Sequence, residues 1–315
     1  MSLYSHLIKD LGYEKAIISR FALSAPKKYK VYQIPKRTSG TRLIAHPSKA
    51  LKKYQYSIIN YLSKIIQLHP CATAYVRNKG IKVNALQHKD SKYLLKMDFQ
   101  NFFHSLTPQL LNEAFERKGT DLEQPELYLL RNLLFWAPNK ASIGKVVLSI
   151  GAPSSPLISN FIMHPFDEEI YNICKAQNII YTRYADDITF STNQKEVLFE
   201  IPSIVKKQLN IFFHGAISVN NKKTVFSSKA HNRHITGITI TNEGKLSLGR
   251  ERKRMISTLI HHSIINKLPA SDYSYLNGLL SFAKDIEPVF ITRMINKYSL
   301  DALKNISLKS KKGNS

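Results

Sequence analysis

The apolar patterns along the chain predict an α+β fold that ends in a helical C-terminal part. Strand-like alternation and short buried runs are interspersed with helical segments up to about residue 240. From Gly249 onward the pattern is wholly helical and rich in arginine and lysine. The 315 residues, 43% of them apolar, suffice for a real core in two or three subdomains.

The charge balance points to a polyanionic partner. Lysine and arginine number 46 against 22 acidic residues, which gives a formal charge of +24. Such an excess favours nucleic acid or an anionic membrane surface. No run reaches the roughly 18 apolar residues of a spanning helix, and the N-terminus lacks a secretory pattern, so we expect no membrane partner. Cys71 and Cys174 are too few for a disulfide framework or a zinc site, which predicts buried thiols and a cytoplasmic location.

The first elements are a short helical segment over about 23 residues and then a hairpin. Residues 29–34 alternate in the manner of a strand, residues 41–45 make a plausible partner, and residues 36–40 form the turn. Ser48 is placed to cap the helix that follows. One face of that helix carries the apolar residues Leu51, Tyr54, Ile58, Leu62 and Ile65.

A buried strand over residues 93–99 opens the middle of the chain and carries one charged residue, Asp98. Residues 108–136 are mostly helical, residues 141–148 have a strand pattern, and a helix begins after Pro156. The acidic cluster Asp167, Glu168 and Glu169 is interpreted as a solvated helix face. Residues 179–191 predict two strands joined by a tight turn, and helices are predicted at about 273–284 and 288–303.

Adjacent carboxylates in the tight turn are the strongest chemical signal. Asp186 and Asp187 stand between apolar and β-branched runs, and a turn is needed to present both near one site, because adjacent strand residues point to opposite faces. Grouped carboxylates repel each other, and a divalent cation reverses that penalty. An ordinary surface hairpin turn is the alternative for this pair taken alone.

Asp98 favours the metal-binding alternative, because an aspartate in a buried strand is expensive unless it is paired or metal-bound. Capping of a nearby backbone group is its other explanation. Two carboxylate-bearing strands side by side would form an oxygen-rich site suited to magnesium. Two such ions could activate a primer hydroxyl and stabilise the leaving pyrophosphate.

At this point the sequence resembles a known family. Asp98 with Phe102-Phe103 resembles polymerase motif A, the segment 151–156 resembles motif B, Tyr184-Ala185-Asp186-Asp187 resembles motif C, and the segment 220–224 resembles motif D. Their order is similar to that of reverse transcriptases. Features similar to the bacterial retron branch are Asn84-Ala85-Leu86-Gln87-His88, Ile235-Thr236-Gly237, and Arg42 with Ala45-His46-Pro47-Ser48.

The resemblance implies a right-hand polymerase fold of fingers, palm with an antiparallel sheet, and helical thumb. It assigns residues 1–92 to an N-terminal helix and fingers. Residues 93–240 would be the palm, with a fingers-like helical insertion around 108–150, and residues 241–315 the RNA-binding thumb. Asp98, Asp186 and Asp187 would be the catalytic carboxylates that bind two Mg²⁺ ions.

The resemblance also implies a set of nucleotide-binding residues. Phe103, five residues after Asp98, resembles the bulky residue that rejects a ribose 2′-hydroxyl, although a core aromatic remains possible. The full set is Lys36, Arg42, Phe103, Gly151, Ala152 and Lys223. For the basic members a solvated surface is the alternative. Ser149-Ile150 replaces the Pro-Gln that many family members carry before the motif B glycine, so a glutamine contact is missing or supplied elsewhere.

RNA contacts are expected on the retron-like segments and on a basic helix face, with an ordinary charged face as the alternative. These residues are Asn84, His88, Thr236, Gly237, Arg250, Arg252, Lys253 and Arg254. The implied partners are deoxynucleotide triphosphates, a structured non-coding RNA and its DNA product.

The function implied is synthesis of a branched RNA–DNA hybrid from a 2′-hydroxyl of an internal guanosine, in defence against phage. A separate effector protein is expected. No RNase H domain is expected after Leu303, so a separate enzyme would trim the template. A mobile-element reverse transcriptase and a catalytically silent RNA-binding scaffold are the alternatives; the intact three aspartates disfavour the scaffold.

Overall fold

The computed structural model describes residues 2–36, 40–139 and 144–312. Within these ranges the helices are α1 Leu3–Leu11, α2 Lys15–Ser24, α3 Lys49–Leu62, α4 Ile81–Gln87, α5 Phe102–Ser105, α6 Pro108–Arg117, α7 Gln124–Leu134, α8 Ser155–Ile162, α9 His164–Ala176, α10 Ile201–Phe213, α11 Arg250–Ile264, α12 Asp272–Ile286, α13 Pro288–Tyr298 and α14 Leu300–Lys312. The strands are β1 Tyr29–Pro35, β2 Thr41–Pro47, β3 Tyr93–Gln100, β4 Ile180–Tyr184, β5 Asp187–Thr192, β6 Ser218–Val219, β7 Val225–Ser228, β8 Arg233–Ile235, β9 Ile238–Ile240 and β10 Leu246–Ser247. This mixture confirms the α+β prediction.

The chain divides into two compact units. The first comprises Met1–Gly80 and Leu95–Val225, and the second comprises Ile81–Leu94 and Phe226–Ser315. The division into fingers, palm and thumb, with other boundaries, stays a prediction. No helix in the described ranges is both long and apolar enough to cross a bilayer.

The first unit contains the sheet that carries the aspartates. The strand order in this sheet is β4-β5-β3-β6. The predicted hairpin of β4 and β5 is confirmed, with Tyr184 opposite Asp187. The ring of Phe99 on β3 stacks on Phe102 at 5.7 Å and meets the edge of Phe166 from α9 at 6.0 Å between centroids. This aromatic cluster fixes β3 next to α5 and α9.

The N-terminal hairpin is also confirmed, with Tyr29 opposite Pro47 and Pro35 opposite Thr41. Residues 37–39 of its predicted turn lie outside the described residues. Ser48 caps α3, because its hydroxyl accepts a bond from the Leu51 N–H at 3.2 Å. The apolar face of α3 is buried as predicted, but α3 ends at Leu62, and Ile65 beyond it is exposed.

The second unit is built on the antiparallel strands β8, β9 and β10, in the order β10-β9-β8. Ile235, Ile238 and Ile240 alternate towards its core, where residues of α4 and of the C-terminal helices pack. Amphipathic spacing on α11 and α12 supplies Ile256, Ile260, Leu276 and Leu280 to the same core.

Three sequence predictions of local structure fail. Of residues 141–148, positions 141–143 lie outside the described residues, and the rest holds only an isolated bridge between Val147 and Trp136. The single helix over 288–303 is two helices, because Ser299 adopts a φ of 79° and its hydroxyl caps α14 through the Ala302 N–H. Asp167 is fully buried rather than solvated, because it pairs with Arg183.

Glu287 joins α11 to the strand end at β10. One carboxylate oxygen accepts bonds from the Leu248 N–H at 3.0 Å and the Ser247 hydroxyl at 2.9 Å. The other oxygen lies 2.6 Å from the Lys253 ammonium. Burial alone would raise the pKa of Glu287, but these bonds lower it below its ordinary value.

We therefore expect Glu287→Ala to lower the free energy of unfolding by about 2 kcal/mol, because it leaves half-buried donors unsatisfied. Urea denaturation followed by circular dichroism measures the change. Glu243→Ala is the matched control, since Glu243 pairs only with the exposed Lys245 and its loss should leave the transition in place. Equal losses of unfolding free energy in both variants would contradict the stabilising role of Glu287.

Candidate active site

The two adjacent aspartates are presented by the β4–β5 turn. Because Tyr184 pairs with Asp187, the turn itself consists of Ala185 and Asp186. Ala185 is buried and has a φ of 57°, a left-handed conformation that is costly for a residue with a Cβ. The predicted tight turn is therefore present, and surrounding contacts must hold it in this shape.

Asp98 lies beside that turn. The Phe99 N–H donates to the Asp186 carbonyl at 3.0 Å, and the Asn220 N–H donates to the Asp98 carbonyl at 2.7 Å. The Asp98 side chain is 9% exposed and lies close enough to the Asp187 carboxyl to raise its pKa. The structure thus brings together the three carboxylates that the sequence predicted to act together.

The electrostatics show how strongly these groups oppose each other. Burial, followed by the charge of Asp98, raises the pKa of Asp186. Burial, the Asp186 charge and the Asp98 charge raise the pKa of Asp187 to about 7. The Lys223 ammonium lies 2.9 Å from both Asp98 carboxylate oxygens, and this bond raises the pKa of Lys223. Lys223 thus acts as the counterion of the cluster.

The donor chemistry of the cluster suits a hard divalent cation. Carboxylate oxygens are the ligands that magnesium prefers, and a cation would relieve the repulsion that raises the pKa of Asp186 and Asp187. As the side chains stand, no group of three or more histidine, cysteine, aspartate or glutamate residues among those described could hold a metal ion. Asp98 is paired with the Lys223 ammonium at 2.9 Å in this arrangement.

A cavity of about 330 Å³ is lined by three of the predicted nucleotide-binding residues, Phe103, Gly151 and Ala152. Its other walls are Lys52, Tyr56, Tyr75, Ser149, Ile150, Pro153, Ser155 and Pro156. Phe103 makes an edge contact with Phe102 at 5.3 Å but stays half-buried, so it is a wall of the cavity as well as a packing residue.

Gly151 is required by packing against β2. It has a φ of 118°, and a Cβ there would lie 3.2 Å from the Ile44 Cγ2 and 3.3 Å from the Ala45 carbonyl oxygen. The Ala45 N–H also donates to the Ile150 carbonyl at 3.0 Å. In this structure the backbone of the hairpin lies close to Gly151, and the nucleotide-binding role of Gly151 stays a prediction.

The basic members of the predicted set are placed unequally. The positive charge of Arg42 is close enough to act on the Asp186 carboxyl and on Tyr75. Lys36 is exposed at the end of β1, where its N–H bonds to the Gly40 carbonyl. Lys223 binds Asp98, as described above, and its role towards a nucleotide stays a prediction.

The predicted RNA-binding residues lie in the second unit, and two of them are buried. Asn84 is 1% exposed and His88 is fully buried, so burial lowers the pKa of His88 to about 3 and keeps it neutral. Neither side chain can reach a ligand at the surface in this conformation. Their RNA-binding role stays a prediction that this burial does not favour.

Thr236 and Gly237 form the two-residue turn between β8 and β9, with φ of 46° and 84°. Arg252 donates to the Gly237 carbonyl at 2.8 Å, and its guanidinium lies over the Phe282 ring. Lys253 is paired with Glu287. Of the four basic residues predicted on α11, Arg250 and Arg254 are thus the exposed ones.

Arg183 is the residue that the sequence prediction missed. It is fully buried on β4, two positions before the turn residue Ala185, and pairs with Asp167 at 2.6 Å. A signal was present, because Arg183 is the one charged residue in the strand Ile180–Tyr184. Asp167 also shares a helical face with the buried Ile170 and Cys174, at spacings of three and seven.

Comparison with known proteins first defines the class. The family model described as reverse transcriptase (RNA-dependent DNA polymerase) matches residues 34–240, which include all three aspartates. The structure is similar to that of apo telomerase from Candida tropicalis, with a TM-score of 0.53, 13% identity, and coverage of 90% of this chain and 58% of that chain. The fold is therefore the right-hand polymerase fold, and the protein is an RNA-directed DNA polymerase.

Similarity to two retron enzymes of Escherichia coli identifies the branch of reverse transcriptases to which the chain belongs. The retron Ec83 reverse transcriptase is 50% identical over 285 residues, which cover 90% of this chain and 91% of the relative. The retron Ec73 reverse transcriptase is 32% identical over 315 residues, covering 95% of each. The chain belongs to the bacterial retron-type reverse transcriptases. Enzymes of this class generally use divalent metal ions, an RNA template and nucleotide substrates.

Replacing Gly151 tests the contact with β2. We expect Gly151→Ala to cost about 2 kcal/mol of stability, because alanine is strained at this φ and meets the β2 backbone. Gly80→Ala is the matched control, since nothing lies within 4 Å of its added Cβ. Thermal unfolding of both variants measures the difference; an unchanged melting temperature for Gly151→Ala would show that β2 adapts freely.

The raised pKa of Asp187 predicts a pH-dependent stability in metal-free buffer. Between about pH 4 and pH 7 the folded protein holds a proton on Asp187 that the unfolded chain releases. Stability should therefore fall as the pH rises through this window, by at most about 1.4 kcal/mol per pH unit for one group.

Melting temperatures of the metal-free protein between pH 5 and pH 8 measure this slope. The Asp187→Asn variant should show a shallower slope, because its amide does not titrate. The two slopes would coincide if Asp187 were not the titrating group.

Proposed function

We propose that this polymerase performs nucleotidyl transfer at Asp98, Asp186 and Asp187 with two Mg²⁺ ions. The observation that carries the proposal is the bond from the Phe99 N–H to the Asp186 carbonyl, which joins the two aspartate-bearing segments of one sheet. When bound, such ions would activate the primer hydroxyl and stabilise the leaving pyrophosphate. The repulsion within the cluster supports this role, because a multivalent cation can neutralise several carboxylates at once.

The neighbouring residues take matching roles in the proposal. Phe103, at the cavity wall, excludes a ribose 2′-hydroxyl and so favours deoxynucleotides. Lys223 leaves Asp98 and offers its ammonium to the departing pyrophosphate. Arg42, whose charge already acts on Asp186, binds the triphosphate, together with Lys36 at the end of the hairpin. Gly151 and Ala152 form the floor under the incoming nucleotide.

The proposed template is a structured non-coding RNA. Synthesis starts at a 2′-hydroxyl of an internal guanosine and yields a branched RNA–DNA hybrid (msDNA), which serves antiphage defence in the cytoplasm with a separate effector protein. The supporting observation is 50% identity over nearly the full length of a retron reverse transcriptase. The formal charge of +24 fits a large RNA partner.

The thumb role falls to the helical part of the second unit. Arg250 and Arg254 are exposed on α11 and are the side chains free to approach phosphates. Arg252 and Lys253 are bound to Gly237 and Glu287, so their role is to fix α11 beside the β8–β9 turn. Thr236 and Gly237 present that turn to the RNA.

Primer extension on an RNA template with Mg²⁺ and deoxynucleotides tests the proposal. We expect the native protein to make DNA and the double variant Asp186→Asn with Asp187→Asn to lose activity by on the order of 1,000-fold, since metal-ion stabilisation contributes several kcal/mol. The double variant Asp10→Asn with Asp121→Asn makes the same charge change at exposed positions and should keep native activity.

Native rates from the Asp186 and Asp187 variant would remove these carboxylates from the reaction. If neither protein extends a generic primer, the assay is repeated with the structured RNA encoded beside the gene. Product with that RNA alone would support the retron role. Bound RNA without product would favour the scaffold alternative.

A further inference from the structure

We propose that Arg183, through its buried pair with Asp167, is a positioning residue that fixes the turn carrying Asp186 and Asp187. The inference rests on the proposed function of those aspartates. It concerns a part of the protein that touches neither nucleotide nor RNA in the proposal, the layer between β4 and helices α8 and α9.

The Arg183 guanidinium is held by two side chains at once. Its Nε donates to Asp167 Oδ1 at 2.8 Å, and its Nη2 donates to Asp167 Oδ2 at 2.6 Å. Its Nη1 donates to Asn160 Oδ1 at 3.0 Å. Arg183 and Asp167 are both fully buried, so this geometry is not screened by solvent.

The link to the active site is the same Nη1, which also donates to the Ala185 carbonyl at 3.2 Å. Ala185 is the buried turn residue with the left-handed conformation, directly before Asp186. A charged donor on its carbonyl opposes relaxation of that peptide towards an ordinary φ. Arg183 therefore acts where the turn is most strained.

Arg183 is itself anchored from several directions. Its N–H donates to the Cys71 carbonyl at 3.0 Å, and its carbonyl accepts from the Thr73 N–H at 2.8 Å. Asn160 Nδ2 donates to the Ala74 carbonyl at 2.9 Å, which ties the same segment to α8. Arg183, and with it the turn, is therefore held by the segment 71–74 and by α8 as well as by Asp167.

Stability alone does not account for a pair of this kind. Desolvation of two charges offsets much of their attraction, and apolar residues of similar volume often serve a core equally well. What the pair supplies and apolar residues cannot is a directed bond to the Ala185 carbonyl. Displacing a reacting group by about 1 Å can cost about 100-fold in rate, which is the scale on which such a bond matters.

Arg183→Lys is the discriminating variant. Lysine keeps the positive charge opposite Asp167, but its single ammonium cannot replace the forked set of bonds to Asp167, Asn160 and Ala185. Tyr181→Phe is the matched control in the same layer. It removes the bond from the Tyr181 hydroxyl to Asp167 Oδ1, 2.9 Å long, and leaves the Ala185 contact intact.

Two readouts separate positioning from folding. One is binding of Mn²⁺ to the free protein, followed by electron paramagnetic resonance without nucleic acid. The other is steady-state primer extension with Mg²⁺. For Arg183→Lys we expect Mn²⁺ affinity and kcat each to fall about 10- to 100-fold, with KM for deoxynucleotide changed by less than about 3-fold. Tyr181→Phe should lose thermal stability and keep both values. Equal behaviour of the two variants would overturn the proposal.

A second variant keeps the test decisive if Arg183→Lys does not fold. The double variant Asp167→Asn with Arg183→Gln removes both charges together, so no buried charge is left unpaired. The glutamine side chain is also too short to reach the Ala185 carbonyl. The same losses in this variant would support the proposal, and native Mn²⁺ binding would overturn it. Failure of both variants to fold would also overturn it, because the pair would then serve the whole unit rather than the turn.

A variant of Asp186 and Asp187 tests the proposed metal site independently of Arg183. Loss of Mn²⁺ binding in Asp186→Asn with Asp187→Asn supports the proposed metal site. Native binding in that variant would refute the site itself, whatever Arg183 does.

Discussion

Mutual repulsion of three carboxylates in one sheet is the constraint around which the first unit is organised. Asp98, Asp186 and Asp187 are drawn together by backbone bonds, and burial strengthens their opposition. Lys223 neutralises part of this charge in the free protein. Behind the sheet, the left-handed turn is braced by Arg183. The fold therefore stabilises on several sides an arrangement that would otherwise spread apart.

Sequence patterns predicted the elements that depend on local chemistry. Both hairpins, the buried strand around Asp98 and the capped helix after Ser48 follow from alternation, turn residues and capping. The failures have different causes. The break at Ser299 comes from its left-handed φ of 79° and from its hydroxyl, which caps the Ala302 N–H, whereas Val147 makes only an isolated bridge to Trp136. Apolar periodicity registers neither feature.

The candidate site divides in the same way. The association of the three aspartates was predictable, because burying a carboxylate costs free energy unless it is paired or bound to a metal ion. The counterion role of Lys223 was not predictable, because Lys223 and Asp98 lie 125 positions apart in the sequence. The 3-10 helix Asn221–Lys223 places the Lys223 ammonium 2.9 Å from the Asp98 carboxylate. Asp167 was assigned to solvent because it lies in an acidic run, although it shares a helical face with buried residues; in the structure Arg183 and the Tyr181 hydroxyl satisfy its buried carboxylate.

Gly151 links two parts of the first unit mechanically. The absent side chain lets β2 lie directly against the backbone of the cavity wall, and the Ala45–Ile150 bond fastens the contact. The N-terminal hairpin and the cavity wall at Gly151 therefore meet at backbone distance, with the Ile44 side chain beside the contact. Any side chain at position 151 would have to displace β2, so the separation between the hairpin and this wall depends on the absence of a single methyl group.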